Sequence, residues 1–190
     1  MQRPQSPVGK THDKLGAALM RFGIPGAVRG QQVLDVNGST PGFAAVLLEL
    51  GAAHVSSVSV GPTPLAPHLR SDGRITMVER AQLKSLPAAQ APGPFAFFTI
   101  DIRFASARSA LRAVGFRLAP ATHGVAWVRP QFECAPEFKN QMLSGKALRD
   151  RAMFEFTQKA VAQGFQILAE ADGTDGDDPQ IAVHLLSAAA

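Results

Sequence analysis

Apolar residues change their spacing repeatedly along this chain, and each change marks an element. Over Asp13–Phe22, Leu15, Ala18, Leu19 and Phe22 fall on one side of a helix that Gly23 stops. Val33–Val36 is a short, nearly continuous apolar run, too short for a helix and fit for a buried parallel strand. After a run of small and turn-forming residues, Phe43–Leu50 returns to helical spacing. His54–Val60 alternates like a strand, and Ile75–Val78 is a third short one. Between them Pro62, Pro64 and Pro67 forbid a regular helix.

The second half repeats the theme. Pro87–Pro94 reads as a surface connection and Phe95–Ile100 as the most buried strand, ended by Asp101. Ala105–Val114 is expected to be a helix, Gly124–Val128 a strand, and Arg149–Gln163 a long amphipathic helix ending at Gly164. Phe165–Ala169 and Ile181–Leu186 are expected to close the sheet as antiparallel partners, with Asp172–Asp178 an acidic turn. Alternating strands and helices imply an α/β fold, a mostly parallel sheet covered on both faces.

Composition narrows the class. A chain of 190 residues with 46% hydrophobic content suits one soluble domain with a substantial core. No apolar run approaches the roughly 20 residues of a membrane helix. Met1–Pro7 has no apolar signal core, which makes the cytoplasm the default compartment. The single Cys134 excludes an internal disulfide and cannot anchor a cysteine metal site, so no metal is expected. A net charge of +4 is compatible with a polyanionic partner, although no Lys/Arg cluster marks a binding face. Gly9-Lys-Thr11 lacks both the upstream glycine and the preceding strand of a phosphate-binding loop.

The chemistry centres on the turn between the first strand and the following helix. Strand, glycine-containing turn and helix place backbone N–H groups and a helix N-terminus against a small polar ligand. Here the turn reads Asp35-Val-Asn-Gly-Ser-Thr-Pro-Gly-Phe43, followed by Leu47-Leu48, Gly51-Ala-Ala-His-Val55 and Val58-Ser-Val-Gly61. Further on come Val78-Glu-Arg80, Ile100-Asp-Ile-Arg-Phe104 and Val128-Arg-Pro-Gln-Phe-Glu133. In order and spacing these blocks resemble the TlyA-type proteins, S-adenosylmethionine-dependent RNA 2′-O-methyltransferases or hemolysin-like proteins related to the FtsJ ribose methyltransferases. The resemblance runs from about Val8 to Leu186.

That resemblance implies a Rossmann-like class I methyltransferase fold of seven strands with the last antiparallel. Pro4, Pro7 and Gly9 mark residues 1–11 as a loose tail, and the resemblance makes 12–190 the methyltransferase domain, with no room ahead for the family's small RNA-binding domain. It also implies S-adenosylmethionine as cofactor and RNA, ribosomal RNA in particular, as partner. A protein partner stays open. The family's catalytic Lys-Asp-Lys-Glu set falls on Lys14, Asp101, Arg129 and Gln180. Donor-binding positions fall on Asp35, Asn37, Gly38, Ser39, Thr40, Pro41, Gly42, Ser59, Glu79 and Asp101. Asp35, Ser59 and Asp101 are expected at one edge of the sheet, because each follows or ends a parallel strand.

Several of these positions have changed type. Arg129 keeps a positive charge but cannot act as a base. Gln180 keeps the shape of a glutamate without its charge. Asn37 and Pro41 replace two glycines of the family turn, and Pro41 removes an N–H that would face the ligand. Ser59 stands where a carboxylate normally grips the ribose hydroxyls. Three functions follow: an active RNA methyltransferase, a catalytically impaired relative that binds RNA or protein, and an enzyme turned to a small-molecule substrate.

Overall fold

The computed structural model of the protein describes residues 7–37, 43–61, 67–83, 87–103, 105–134, 145–175 and 178–188. Helix α1 (Pro7–Arg21) is followed by strand β1 (Gln32–Asn37), helix α2 (Ala44–Glu49) and strand β2 (His54–Ser59). A one-turn helix α3 (Pro67–Arg70) leads to β3 (Ile75–Val78), and β4 spans Phe95–Asp101. Then come α4 (Leu111–Gly115), β5 (Leu118–Val128), the one-turn α5 (Pro130–Glu133), α6 (Gly145–Ala162), β6 (Phe165–Asp175) and β7 (Asp178–Ser187).

The strands form one seven-stranded sheet in the order β3-β2-β1-β4-β5-β7-β6. All pairs from β3 to β5 are parallel, and β7 runs antiparallel to both β5 and β6. The expected fold class is therefore present.

Successive residues of a strand point to opposite faces, and both faces here are packed. Leu34, Val36, Val58, Phe98, Ile100, Val183 and Leu185 share a core with α4 and α6. Val33, Val55, Phe97, Val125, Trp127 and Ala182 share the other with α1 and α2. Burial on both faces is why Val33–Val36 and Phe95–Ile100 read as nearly continuous apolar runs. Gly124 has a steric reason: a Cβ there would clash with the Phe98 ring.

Some element boundaries differ from the sequence reading. Helix α1 starts at Pro7, within the stretch read as a tail. The helix expected over Ala105–Val114 is two pieces, a 3-10 turn at Ala107–Ser109, whose first N–H donates to Glu133, and α4. Strand β5 begins at Leu118, with an irregularity in its pairing to β4 between Phe95 and Phe97. The Pro87–Pro94 connection is not wholly superficial, since Ala91 is fully buried. Asp172 lies inside β6 opposite Ile181, so the acidic turn is part of a long hairpin. Pro67 opens α3, a place where its missing N–H costs nothing; Pro62 and Pro64 lie outside the described residues.

Candidate active site

Strand register assembles the site. In the ladder Asp35 stands between Ser57 on β2 and Thr99 on β4, and Asn37 between Ser59 and Asp101. The last pair of β5 with β7 is Val128 with Ile181, so Arg129 and Gln180 follow just beyond it. By the two-residue period, Asp35 and Asn37 share the face of Val33, Ser57 and Ser59 that of Val55, and Thr99 and Asp101 that of Phe97. Arg129 likewise continues the face of Trp127, and Gln180 that of Ala182. All therefore gather at the carboxyl edge, on the face that α1 and α2 cover.

Helix α1 brings the fourth group. Lys14 Nζ donates to Asp101 Oδ2 at 2.7 Å. Arg129 Nη1 donates to Asp101 Oδ1 at 2.7 Å and to the Ile102 carbonyl at 3.2 Å. Asp101 is 13% exposed and Arg129 only 3%, so both pairs lie largely out of water. Burial, the strongest single influence on Asp101, raises its pKa; Lys14 and Arg129 together outweigh it and hold the carboxyl below the ordinary 3.8. The Lys14 ammonium also lies 4.8 Å from the Trp127 ring centre and 5.7 Å from that of Phe43. Aromatic faces attract a cation, and these two rings pack on each other at 4.6 Å. Gln180 is buried at the same edge.

Asp35 is the buried acceptor that ties neighbouring elements together at this edge. It is fully buried and accepts from Thr99 Oγ1 at 2.7 Å and from Asn37 Nδ2, Ser57 Oγ and the Phe43 N–H at 3.2 Å each. These bonds tie β1 to β2, to β4 and to the start of α2. A carboxylate has about four acceptor positions, and these four donors fill those of Asp35. Burial pushes its pKa up to about 6, against the pull of Thr99, Asn37, Ser57 and the Phe43 amide.

Ser59 is buried, and its Oγ accepts the Gly61 N–H at 3.3 Å. The Ala81 N–H donates to the Ser59 carbonyl at 2.7 Å, from a chain turned at Arg80 with φ 54°. Glu79 is exposed at the end of β3, 3.8 Å from Arg70. Gly38, Ser39, Thr40, Pro41 and Gly42 lie outside the described residues.

One atom tests whether these residues suit a polar donor molecule. Asn37 Nδ2 donates to Asp35 and, at 2.9 Å, to Ser57, which fixes the orientation of its amide. Its Oδ1 is left buried and accepts no hydrogen bond from the described residues. A buried acceptor in that state is costly, and a ligand N–H or O–H would satisfy it. The residues fit on this count.

The sequence reading named the charged groups and missed their supports: Ser57, Thr99, Trp127, Phe43 and Glu133. Ser57 and Thr99 were signalled by their spacing, each two residues before a site residue and so on its face. Cys134 is buried, and that burial raises its thiol pKa, as suits an inert thiol. Among the described residues no helix is long and apolar enough to cross a membrane.

Known proteins resemble this chain in sequence and fold. The FtsJ-like methyltransferase family matches residues 8–170. The 16S/23S rRNA (cytidine-2'-O)-methyltransferase TlyA of Mycobacterium tuberculosis is 35% identical over 161 residues, 85% of this chain and 58% of its own. Hemolysin A of Brachyspira hyodysenteriae is 26% identical over 162 residues, 84% of this chain and 67% of its own. A solved structure titled "Putative hemolysin from Streptococcus thermophilus" superposes with TM-score 0.86 at 26% identity, covering 99% of this chain and 70% of that one. The magnesium protoporphyrin IX methyltransferase of Synechocystis with bound SAH shares the fold alone, at TM-score 0.61 and 11% identity over 99% and 90% of the two chains. The chain spans little more than half the length of the TlyA relative. With the sheet order, the edge site and a family match over most of its residues, this chain belongs to the FtsJ-like methyltransferases.

Proposed function

We propose that the chain is the methyl-transfer domain of an S-adenosylmethionine-dependent ribose 2′-O-methyltransferase acting on ribosomal RNA, with an acceptor site slowed by Arg129. The observation that carries this reading is the convergence of Lys14, Asp101 and Arg129, from three separate elements, on one ion-paired point at the ligand edge. The names of the TlyA relatives supply the substrate class. S-adenosylmethionine supplies an activated methyl group. Asn37 Oδ1, Ser59 and Glu79, with the turn at Gly38–Gly42, would hold it.

The chain's own part is to orient the hydroxyl and manage its proton. Asp101 has acceptor positions beyond the two it gives to Lys14 and Arg129, so a ribose hydroxyl can donate to it while both cations hold it still. The hydroxyl proton has to leave as the oxygen takes the methyl. Of the two cations only Lys14 can take it up, after giving one of its own protons to solvent, because guanidinium stays protonated. A lysine at 129 would supply a second exchangeable group. Wild-type transfer is therefore slow, and Arg129→Lys raises it.

The test is tritium transfer from labelled S-adenosylmethionine to ribosomal subunits by wild type, Arg129→Lys and Asp101→Ala. Transfer that Asp101→Ala abolishes supports the reading. Equal transfer by wild type and Asp101→Ala refutes it. Calorimetry supplies the donor side: Ser59→Asp restores a charged acceptor worth roughly 1.5–3 kcal/mol, or about one to two decades of affinity.

A second reading, a non-catalytic relative that binds RNA or protein, is favoured by one feature: both Asp101 oxygens are already engaged by cations. It predicts RNA retention without transfer, even for Arg129→Lys. A filled donor pocket with neither transfer nor RNA retention would point to a small-molecule substrate.

A further inference from the structure

The acceptor groups sit at the ends of two neighbouring strands, and two cross-links join the segments that leave those strands. One is Arg129, bonded to both Asp101 and the Ile102 carbonyl. The other is Glu133, four residues further on and fully buried. Its Oε2 accepts Ser106 Oγ–H at 2.6 Å, and its Oε1 accepts the Ala107 N–H. Ser106 is the N-cap of the Ala107–Ser109 turn but makes no cap bond with its own side chain; the carboxylate of Glu133 does that work from another element. Arg108 Nε stands 3.8 Å from Glu133 and its Nη1 donates to Glu155 of α6 at 2.6 Å.

The chain between Asp101 and Ala107 is thus fastened at both ends to one short stretch, Arg129–Glu133. Pro130 opens the single helical turn between them, so the distance between the two fastenings is set by rigid backbone. Losing the outer fastening removes one of the bonds that hold the segment after β4, and with it part of what positions the Asp101 carboxylate.

We infer that Glu133 is a positioning residue for the acceptor site: by bonding Ser106 and the Ala107 amide it holds Asp101 where both Lys14 and Arg129 reach it. This rests on the acceptor-site reading above for its functional meaning, but its geometry can be tested without donor or RNA. Glutamine at 133 can still accept the Ala107 N–H through Oε1 and donate to Ser106 Oγ through Nε2. Alanine can do neither.

The measurement is the titration of the Asp101 carboxyl by carbon-13 NMR in wild type, Glu133→Gln, Glu133→Ala and Ser106→Ala. In wild type and Glu133→Gln the midpoint stays below the ordinary aspartate range. In Glu133→Ala it moves up, and the Ala107 amide exchanges at least about tenfold faster. Ser106→Ala keeps the fold if Glu133→Ala does not, and gives a smaller move in the same direction. An unmoved Asp101 midpoint in a folded Glu133→Ala or Ser106→Ala protein overturns the inference. So does a shift in Glu133→Gln as large as in Glu133→Ala, since charge rather than bonding would then be responsible. Failure of the transfer assay with these shifts present would sink the function reading alone.

Discussion

Asp35 and Asp101 lie on neighbouring parallel strands on the same face, two residues apart in register, yet their carboxyls are driven in opposite directions. Asp35 is raised to about 6 and Asp101 is lowered. Burial raises both. The difference lies in what surrounds each: Asp35 receives hydroxyl, amide and backbone donors, all neutral, whereas Asp101 receives two cations. Hydrogen bonds alone do not offset the loss of water around a buried carboxylate here, and a pair of full charges does. Neutral donors make a structural pin that can take up a proton. Cations make an anion that stays ionised.

The largest expected break in this comparison is Asp101→Ala. It leaves the buried Arg129 guanidinium without its carboxylate, and removing one partner of a buried pair costs about 3–5 kcal/mol. Urea denaturation at neutral pH reads this directly; a loss under about 1 kcal/mol would mean that water already compensates the pair.

Next is the pH response, where the two aspartates have opposite signs. Asp35 binds its proton more tightly folded than unfolded, so its contribution is complete below 3.8 and is lost as pH rises through about 6. That loss is ~3 kcal/mol, about two pKa units at 1.36 kcal/mol each. Asp101 has its pKa lowered, so its contribution is present above 3.8 and disappears as pH falls through its lower folded value. Urea midpoints measured from pH 4 to 7 should flatten in Asp35→Asn, and an unchanged slope would contradict the raised carboxyl.

A smaller change sharpens the contrast. Thr99→Val keeps shape and removes the shortest bond to Asp35, costing about 1.5–3 kcal/mol if that carboxyl is ionised. It should also push Asp35 further up in an NMR titration while leaving Asp101 in place.

The smallest effect belongs to a third buried ionisable group on the same face. His184 is lowered by burial first and by His123 second, whose Nδ1 lies 2.9 Å from its Nε2. Phe22, just past α1, stacks on it at 5.4 Å. Its contribution is full above 6.5 and is lost as pH falls below that. His184→Gln should remove this acid-side loss, and a melting temperature that tracks wild type from pH 7 to 5.5 would count against it.

Much of this was legible in the residues. The short apolar runs at Val33–Val36 and Phe95–Ile100, and the turn after Asp35, announced a parallel sheet with a ligand edge. The two-residue period could also have placed Ser57 and Thr99 beside Asp35. The 3-10 break at Ala107 was not legible, because its cap comes from Glu133 on another element. Nor was the hairpin through Asp172, since acidic residues in an exposed strand read like a turn.

Sequence by itself determined the order of strands and helices and the charge at each end of a strand, for these depend on local spacing and side-chain type. It could not decide which donors each aspartate meets. Lys14 reaches Asp101 only because α1 packs on the sheet face that carries Phe97 and Trp127, beside Phe43 of the α2 segment. Arg129 reaches it because β5 lies beside β4. The balance of burial against charge depends on distances between groups remote in sequence, and only the folded sheet sets those distances.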